Sequence, residues 1–470
     1  MSAQAQVQAD AQAQTQVIPK LVRHPSAQLE IDMVRTTVRD PSIPMQDPEF
    51  FSTVFGQGKR RFPHRLNSYV ENMLVCGEDV VVRLTDLAVC PTLGSSVKYS
   101  AVADGHGLYG DLASIGTIKE LQILLQVRIN EMVQALLNDN TDTFNGIWDD
   151  IFAGLERHHQ QSIKVGGTTL TVNLFIKLPT KTLIATANVG DSESFVINNK
   201  TGVVEIMTES HSWDDPQQRT QYLAHCASLG KTPCEVVFAR FHLYKAQAPR
   251  ELDGSLFNRG IPIPIFKKGT AELDHQSIDN FSQFISRRFP SSIGGSQGLR
   301  KDLLVKEHDP KFEVIAVHPD SAHLNWGSCP VYINEIGAEA GGAQMWQSIG
   351  DAEMKMKTHM GIKPSKKIRV VGDGEDLSVL CCSDGLADTR YLSRMAEEAV
   401  EHFRENKTVE QLGTFWLDRS LTIAQQQAYA GGIDIVNQKR IPRWDDVSGS
   451  LVRIVGKKAD SSEIVSKGTP

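Results

Sequence analysis

Residues 101–107 read AVADGHG, an apolar run that ends on an acid, a glycine and a histidine. Three other stretches end or begin in the same way: ANVGDS at 187–192, VLCCSDG at 379–385 and RWDDVSGSLV at 443–452. In all but the last the aspartate stands beside a glycine or a small residue at the end of a predicted strand; in the last, Asp445 leads into one. Taken singly, Asp-Gly and Gly-Asp are commonest as turns. Together they describe something else, because carboxylates drawn from distant strand ends can meet at one end of a sheet and supply the oxygen ligands that Mg²⁺ or Mn²⁺ requires. The glycine after Asp104 also lets a backbone carbonyl come close to an ion.

The flanking sequence predicts how these ends are presented. NMLVCGE (72–78) reads as the first convincing strand and VKYSAVAD (97–104) as the next. Apolar residues then recur at helical spacing through Ile115, Ile118, Leu121, Leu125, Ile129, Met132 and Leu136, and again through Phe144, Ile147, Ile151 and Leu155, so two helices are expected after the DGHG turn. Gly166 and Gly167 open TLTVNLFIKL, a Pro-Thr-Lys turn joins it to TLIATANVGD, and SESFVIN follows. That succession reads as an antiparallel meander. Between about 234 and 340 the periodicity is lost, Pro-rich pieces such as RGIPIPIF appear, and a strand-like FEVIAVH follows, which together indicate a long insertion. Beyond it come MWQSIGD, the strand LSVLCC, a helix through Leu392, Met395, Ala399 and Phe403, a helix around QLGTFWLDRSL, and a last strand SGSLVRIV.

In order along the chain, AVADGHG, GGTT, ANVGDSESFVI, SIGDAEMK, LCCSDGLAD and DDVSGSLVRI resemble the successive motifs of the metal-dependent protein serine/threonine phosphatases, the type 2C family. The resemblance covers roughly residues 65–456 outside the insertion. It implies an α+β fold, a sandwich of two antiparallel β-sheets flanked by α-helices in four layers, α-β-β-α. It implies hydrolysis of phosphoserine and phosphothreonine in proteins by a metal-activated water, with two Mg²⁺ or Mn²⁺ ions per site and a third, weaker one in some members. Carried over residue by residue, Asp104 bridges the two ions, the Gly105 carbonyl joins one, and Asp384 and Asp445 complete the other. Asp191 and Asp388 match the acids of the weaker site, and His106 matches the general acid for the leaving alcohol, a role that suits an imidazole.

The N-terminal motif departs from the pattern. The family has an arginine four residues before a Glu-Asp pair, the arginine to grip phosphate and the acids to orient water. The preferred match here is Asn67 followed by Glu71 and Asn72, with Arg65 or the run Lys59 to Arg61 reaching phosphate instead. Asparagine has neither the fork of arginine nor the charge of an acid. A second register uses Glu78 and Asp79 but sets the acids after the predicted strand rather than before it. These departures motivate an alternative function, an inactive or weakened phosphatase fold kept as a binding or regulatory module.

Composition narrows the classes further. The chain has 470 residues, 40% hydrophobic and 22% charged, with a formal net charge of -7. No apolar run approaches the roughly 20 residues of a bilayer span, and no basic field would attract nucleic acid. The seven cysteines, Cys76, Cys90, Cys226, Cys234, Cys329, Cys381 and Cys382, form no CxxC pair and read as reduced thiols of a cytoplasmic or nuclear protein. The expected organisation is an Ala/Gln-rich disordered tail over 1–20, one phosphatase-like domain over 21–456 with the insertion at about 234–340, and a C-terminal tail over 457–470. The expected partners are phosphoprotein substrates and a regulatory protein at the insertion.

Overall fold

The computed structural model describes residues 49–58, 68–238, 266–274, 328–340, 345–434, 439–440 and 446–456, apart from 71, 108, 164–165, 213–214, 234, 268, 273, 335–336, 388–389, 391 and 432. The two tails, FEVIAVH and most of the insertion lie outside the described residues.

Two sheets dominate. One contains β1 (Phe50–Gln57), β9 (Glu193–Asn198), β10 (Val204–Ile206), β16 (Asp376–Cys382) and β19 (Val447–Val455), in the order β1-β19-β16-β9-β10. The other contains β2 (Ser68–Val70), β3 (Met73–Cys76), β4 (Asp79–Leu87), β5 (Ser96–His106), β7 (Leu170–Lys177), β8 (Thr182–Val189) and β15 (Ser365–Val371), in the order β15-β8-β7-β5-β4-β3-β2. The short strands β6 (Gly167–Thr168) and β14 (Ile349–Gly350) pair with each other beside the end of β5. All these pairings are antiparallel.

Period-two alternation splits each strand between two cores. From β5, Tyr99, Ala101 and Ala103 face the helices α1 (Gly110–Leu137) and α2 (Thr141–His158), joining Ile118, Leu121, Leu125, Trp148 and Phe152. Val102 points the other way, into the space between the sheets with Val54, Leu74, Cys76 and Cys381. From β16, Leu380 and Cys382 face Met395, Phe403, Leu412 and Trp416 of the helices α6 (Leu392–Arg404) and α7 (Val409–Gly431), whereas Leu377 and Val379 face the inter-sheet core. The result is the expected four-layer α-β-β-α sandwich. The remaining described helices are α3 (Pro216–Ser228), α4 (Ala352–Thr358) and the single turn α5 (Asp384–Ala387). Asn140 caps α2 by accepting the Thr143 N–H at 3.0 Å.

Three sequence expectations need correction. β7 and β8 form the predicted hairpin, but the third strand of the supposed meander, β9, crosses to the other sheet and pairs with β16. The crossing is made at Gly190, whose φ of 101° is closed to other residues without strain and where a Cβ would lie 2.6 Å from the Thr169 side chain. Strand β1 precedes the strand taken as first; its run FFSTVFGQ is rich in aromatic and β-branched residues and pairs with β19 over its full length. The insertion also holds regular structure, since β11 (Glu235–Phe238), β12 (Ser328–Asn334) and β13 (Gly337–Ala340) form an antiparallel sheet of their own.

Trp148 is wholly buried in the helix-facing core, edge-on to Phe144 and tilted against Phe152. Replacing it with alanine is expected to cost about 3–5 kcal/mol, read as a lower midpoint with an unchanged slope in chemical denaturation.

Candidate active site

The strand ends that carry the acids meet at one seam between the two sheets. In the register of β4 with β5, Asp79 is the direct cross-strand partner of Asp104. Asp79 is fully buried and its Oδ2 accepts the Ser448 hydroxyl at 2.7 Å. Ser448 lies on β19 of the opposite sheet, and its Oγ is 3.2 Å from that of Ser383, the residue before Asp384. The Ser383 hydroxyl in turn accepts the Ser448 N–H at 3.1 Å. A chain of short polar contacts, Asp79 to Ser448 to Ser383, thus joins the sheets and brings the Asp104 and Asp384 ends to one place.

The turn between β3 and β4 completes this end. Asp446, 3% exposed, accepts the Glu78 N–H on Oδ2 at 2.9 Å. The contact depends on Gly77, which has φ of 68° and where a Cβ would stand 2.5 Å from that oxygen. The Glu78 carbonyl accepts the Gly105 N–H at 3.2 Å and the Ser114 hydroxyl at 2.6 Å, so one turn ties the end of β5 to the N-terminal part of α1. Gly105 is buried there, and a side chain would press to 2.1 Å from the Gly110 carbonyl.

The GGTT motif at 166–169 clamps Asp104 through its backbone. Thr169 donates its N–H to the Asp104 carbonyl at 2.9 Å and its Oγ1 accepts the Asp104 N–H at 3.1 Å; the Thr168 hydroxyl donates to the same carbonyl at 2.9 Å. Thr169 also meets the Ser192 hydroxyl at 2.7 Å, which draws in the crossover that carries Asp191. Behind that crossover the buried His211 is held by Gly190, its Nδ1 lying 3.1 Å from the Gly190 backbone nitrogen and 3.0 Å from the Gly190 carbonyl oxygen. Burial pulls the His211 pKa down to about 4, which keeps the ring neutral.

His106 ends β5. Its Nε2 lies 2.6 Å from Asp351 Oδ2, at a side chain 22% exposed against 8% for the acid. Burial by itself lowers the His106 pKa, but the Asp351 carboxylate, with Asp191 and Glu78 behind it, outweighs burial and leaves it raised.

The predicted site residues therefore divide. Asp104, Gly105, His106, Asp191 and Asp384 come together around one seam. Asp388, Asp445, Glu71, Arg65 and Asn67 lie outside the described residues, as does the run Lys59 to Arg61. Asn72 is not at the seam: its carbonyl accepts the Arg83 N–H, its Nδ2 donates to Thr85 Oγ1 at 2.9 Å, and Arg83 is about 13 Å along β4 from Asp79 at roughly 3.3 Å per residue. The acidic pair at the seam is Glu78 and Asp79, the register set aside in the sequence. The misreading came from expecting the acids before a strand; β3 and β4 form a tight hairpin, and the acids sit in its turn and at the head of β4. Four residues before Glu78 stands Leu74, fully buried in the inter-sheet core, so an arginine is missing from that position in this register. Asp351 was missed as an individual residue, although SIGDAEMK stood out.

The donor set fits a hard divalent cation in chemistry, since aspartate carboxylates and a backbone carbonyl are the ligands such ions take. Among the described residues no three His, Cys, Asp or Glu side chains close into a complete cage; two of the acids implied by resemblance, Asp388 and Asp445, are not among those residues. Among the described residues, too, no helix is long and apolar enough to cross a membrane.

No protein-family model and no curated protein sequence matches the chain. Solved structures do. Serine-threonine phosphatase 2C from Toxoplasma gondii is 15% identical, with 90% of this chain and 100% of that one aligned at a TM-score of 0.47. Serine/threonine phosphatase Stp1 from Staphylococcus aureus is 15% identical over 86% of this chain and 95% of its own, at 0.40. The catalytic domain of the phosphatase PstP, in complex with two manganese ions, is 12% identical over 87% and 99%, at 0.35. Identities and TM-scores this low leave the argument with the residues of this chain.

Two measurements test this geometry. Asp79→Asn is expected to weaken Mn²⁺ binding by about 10–100-fold, the usual cost of losing a group that supports a ligand, while Asn72→Ala binds as the wild type does; isothermal titration reads both. His211 has a folded pKa of about 4 against an ordinary 6.5. The unfolded chain therefore takes up the proton first, and the stability present above pH 6.5 falls as the pH drops toward 4, by roughly 3 kcal/mol. His211→Gln should flatten the melting temperature over that pH range.

Proposed function

We propose that the chain is a metal-dependent protein serine/threonine phosphatase. The observation that carries the reading is the seam at which Asp79, Ser448 and Ser383 tie two sheets together and align the ends bearing Asp104 and Asp384. Asp104, the Gly105 carbonyl, Asp384 and Asp445 would hold two Mg²⁺ or Mn²⁺ ions, with Asp191 and Asp388 at a weaker third. When bound, such ions lower the pKa of a water and neutralise charge on a transferring phosphoryl group.

The residues of the chain supply the rest. Buried Asp79 and the turn at Glu78 fix the height of Asp104 relative to Asp384. The GGTT clamp holds the Asp104 backbone, so its carboxylate is the part that faces the site. Water adds to phosphorus as the bond to the serine or threonine oxygen breaks, and His106 delivers a proton to that departing oxygen, so an alcohol and inorganic phosphate leave. No covalent phosphoenzyme is required. The insertion, which begins and ends near β11 and β13, suits selection of phosphoprotein substrates or a regulatory partner.

A second reading, a binding or regulatory module on a phosphatase fold, is favoured by one observation. In the Glu78 register the phosphate-gripping arginine is replaced by buried Leu74, which can make no contact with an anion.

Hydrolysis of a phosphothreonine peptide in Mn²⁺ or Mg²⁺ separates the two. Turnover that requires metal and is lost in both Asp104→Asn and Asp384→Asn is the expected result. Folded wild-type protein that binds Mn²⁺ but turns over no peptide would establish the module instead.

A further inference from the structure

The SIGDAEMK motif has a place in the resemblance but no role in the chemistry above. Its residues converge on His106. Asp351 Oδ2 is 2.6 Å from His106 Nε2 and accepts the Ser348 hydroxyl at 2.6 Å on the same oxygen. The carboxylate fits only because Gly167 has no side chain; a Cβ there would lie 2.1 Å from Oδ2.

The backbone that presents Asp351 is held in two consecutive left-handed conformations, with φ of 89° at Gly350 and 53° at Asp351. The second is strained for a residue with a side chain, and such strain persists only where the surroundings impose it. They do so from α2. Glu156 Oε2 accepts the Gly350 N–H at 2.9 Å and the Lys355 ammonium at 2.7 Å, while that ammonium also donates to the Ser348 carbonyl at 2.7 Å. The Asp351 N–H donates to the Gly166 carbonyl at 2.9 Å. His159, buried in the π-helical turn 159–163, packs against Gly350, where a Cβ would come within 2.5 Å of its ring. A half-buried lysine, a buried glutamate and a glycine strand together aim one carboxylate at one ring nitrogen. The other nitrogen of that ring, His106 Nδ1, is buried with no hydrogen-bond partner among the described residues.

We infer that Asp351 is a positioning residue: it accepts the Nε2 proton of His106, holds the ring plane, and makes Nδ1 the atom that gives a proton to the departing oxygen. The inference rests on the phosphatase reading for its chemistry and on geometry for the pairing. Proton balance is simple. Nε2–H stays with Asp351 throughout, the Nδ1 proton goes to the alkoxide, and the ring leaves the step neutral with its proton on Nε2. A carboxylate that fixes one nitrogen of an imidazole so that the other does the work is a general device of acid–base sites.

Two readouts test it on the full-length chain. The first is the leaving-group dependence of kcat in Mn²⁺. A nitrophenolate departs with little help from an acid, whereas a threonine alkoxide needs the proton. Asp351→Asn is expected to lower kcat on a phosphothreonine peptide by about 10²-fold, the lower end of a general acid's contribution, with KM little changed, and to lower kcat on p-nitrophenyl phosphate by less than about threefold on the same principle. Ser348→Ala, which keeps the carboxylate and removes one of its hydrogen bonds, should show the same selectivity at smaller size. The second readout is ¹⁵N NMR of histidine-labelled protein without metal. Neutral His106 should carry its proton on Nε2 in the wild type and redistribute it in Asp351→Asn, whose amide can donate to that nitrogen. Equal losses on both substrates in a folded variant, or an unmoved His106 spectrum, would overturn the proposal. A wild type that hydrolyses neither substrate sinks the phosphatase reading, and the NMR result then decides the pairing of Asp351 with Nε2 by itself.

Discussion

A carboxylate with no exposure to water anchors this molecule. Asp79 sits between two sheets, and a charge taken out of water is tolerable only where hydrogen bonds compensate it. The compensation includes a serine hydroxyl from the opposite sheet, and that serine meets another on the neighbouring strand. The sheets are thereby locked at one particular offset. Apolar packing alone would allow several, because Val54, Val81, Val102 and Cys381 form a surface of similar small side chains. The polar chain selects the offset at which the ends of β4, β5, β16 and β19 coincide.

From that offset the rest follows outward. The hairpin turn at Gly77 and Glu78 meets Asp446 on one side and Gly105 on the other, so the acid-bearing ends of β5 and β19 are connected through a single turn. The paired threonines after Gly167 bind the backbone of Asp104 and reach Ser192, which sets the path of the crossover bearing Asp191. The outer helices then cover the two sheet faces with large apolar residues, Trp148 and Phe152 on one side, Trp416 and Phe403 on the other. Rigidity comes from the helix layers, and geometry comes from the few polar contacts at the seam.

The site is built from pieces that are individually weak. A turn glycine, a threonine pair, a serine and a left-handed aspartate are ordinary features taken one at a time. Their value lies in where they are held. His106 illustrates the point, since its ring is paired with Asp351, 245 positions further along the chain, and the backbone at Asp351 is in turn held by Glu156 of α2 and by Lys355. The long insertion interrupts the chain between these partners without disturbing them, as expected when its cost falls mainly on loop closure, about 0.6 kcal/mol for each doubling of length.

What could be read from the residues in order was whatever depends on local pattern. Periodicity marked the two helices after DGHG, the β7–β8 hairpin and the last strand, because burial of one face repeats every two or every 3.6 residues whatever the partner. The aspartates at strand ends were equally visible, as was the histidine beside Asp104. Partnership across the fold was not. Whether β9 joins its predecessor or the other sheet turns on one glycine's φ; whether the acidic pair is Glu71 with Asn72 or Glu78 with Asp79 turns on which of them faces Asp104 across the β4–β5 ladder. Leu74 at the place expected for an arginine, and Asp351 behind His106, became visible only with that pairing. Local sequence carries the propensity and the chemistry of each side chain, and the long-range register of antiparallel strands, a tertiary property, decides which of them meet.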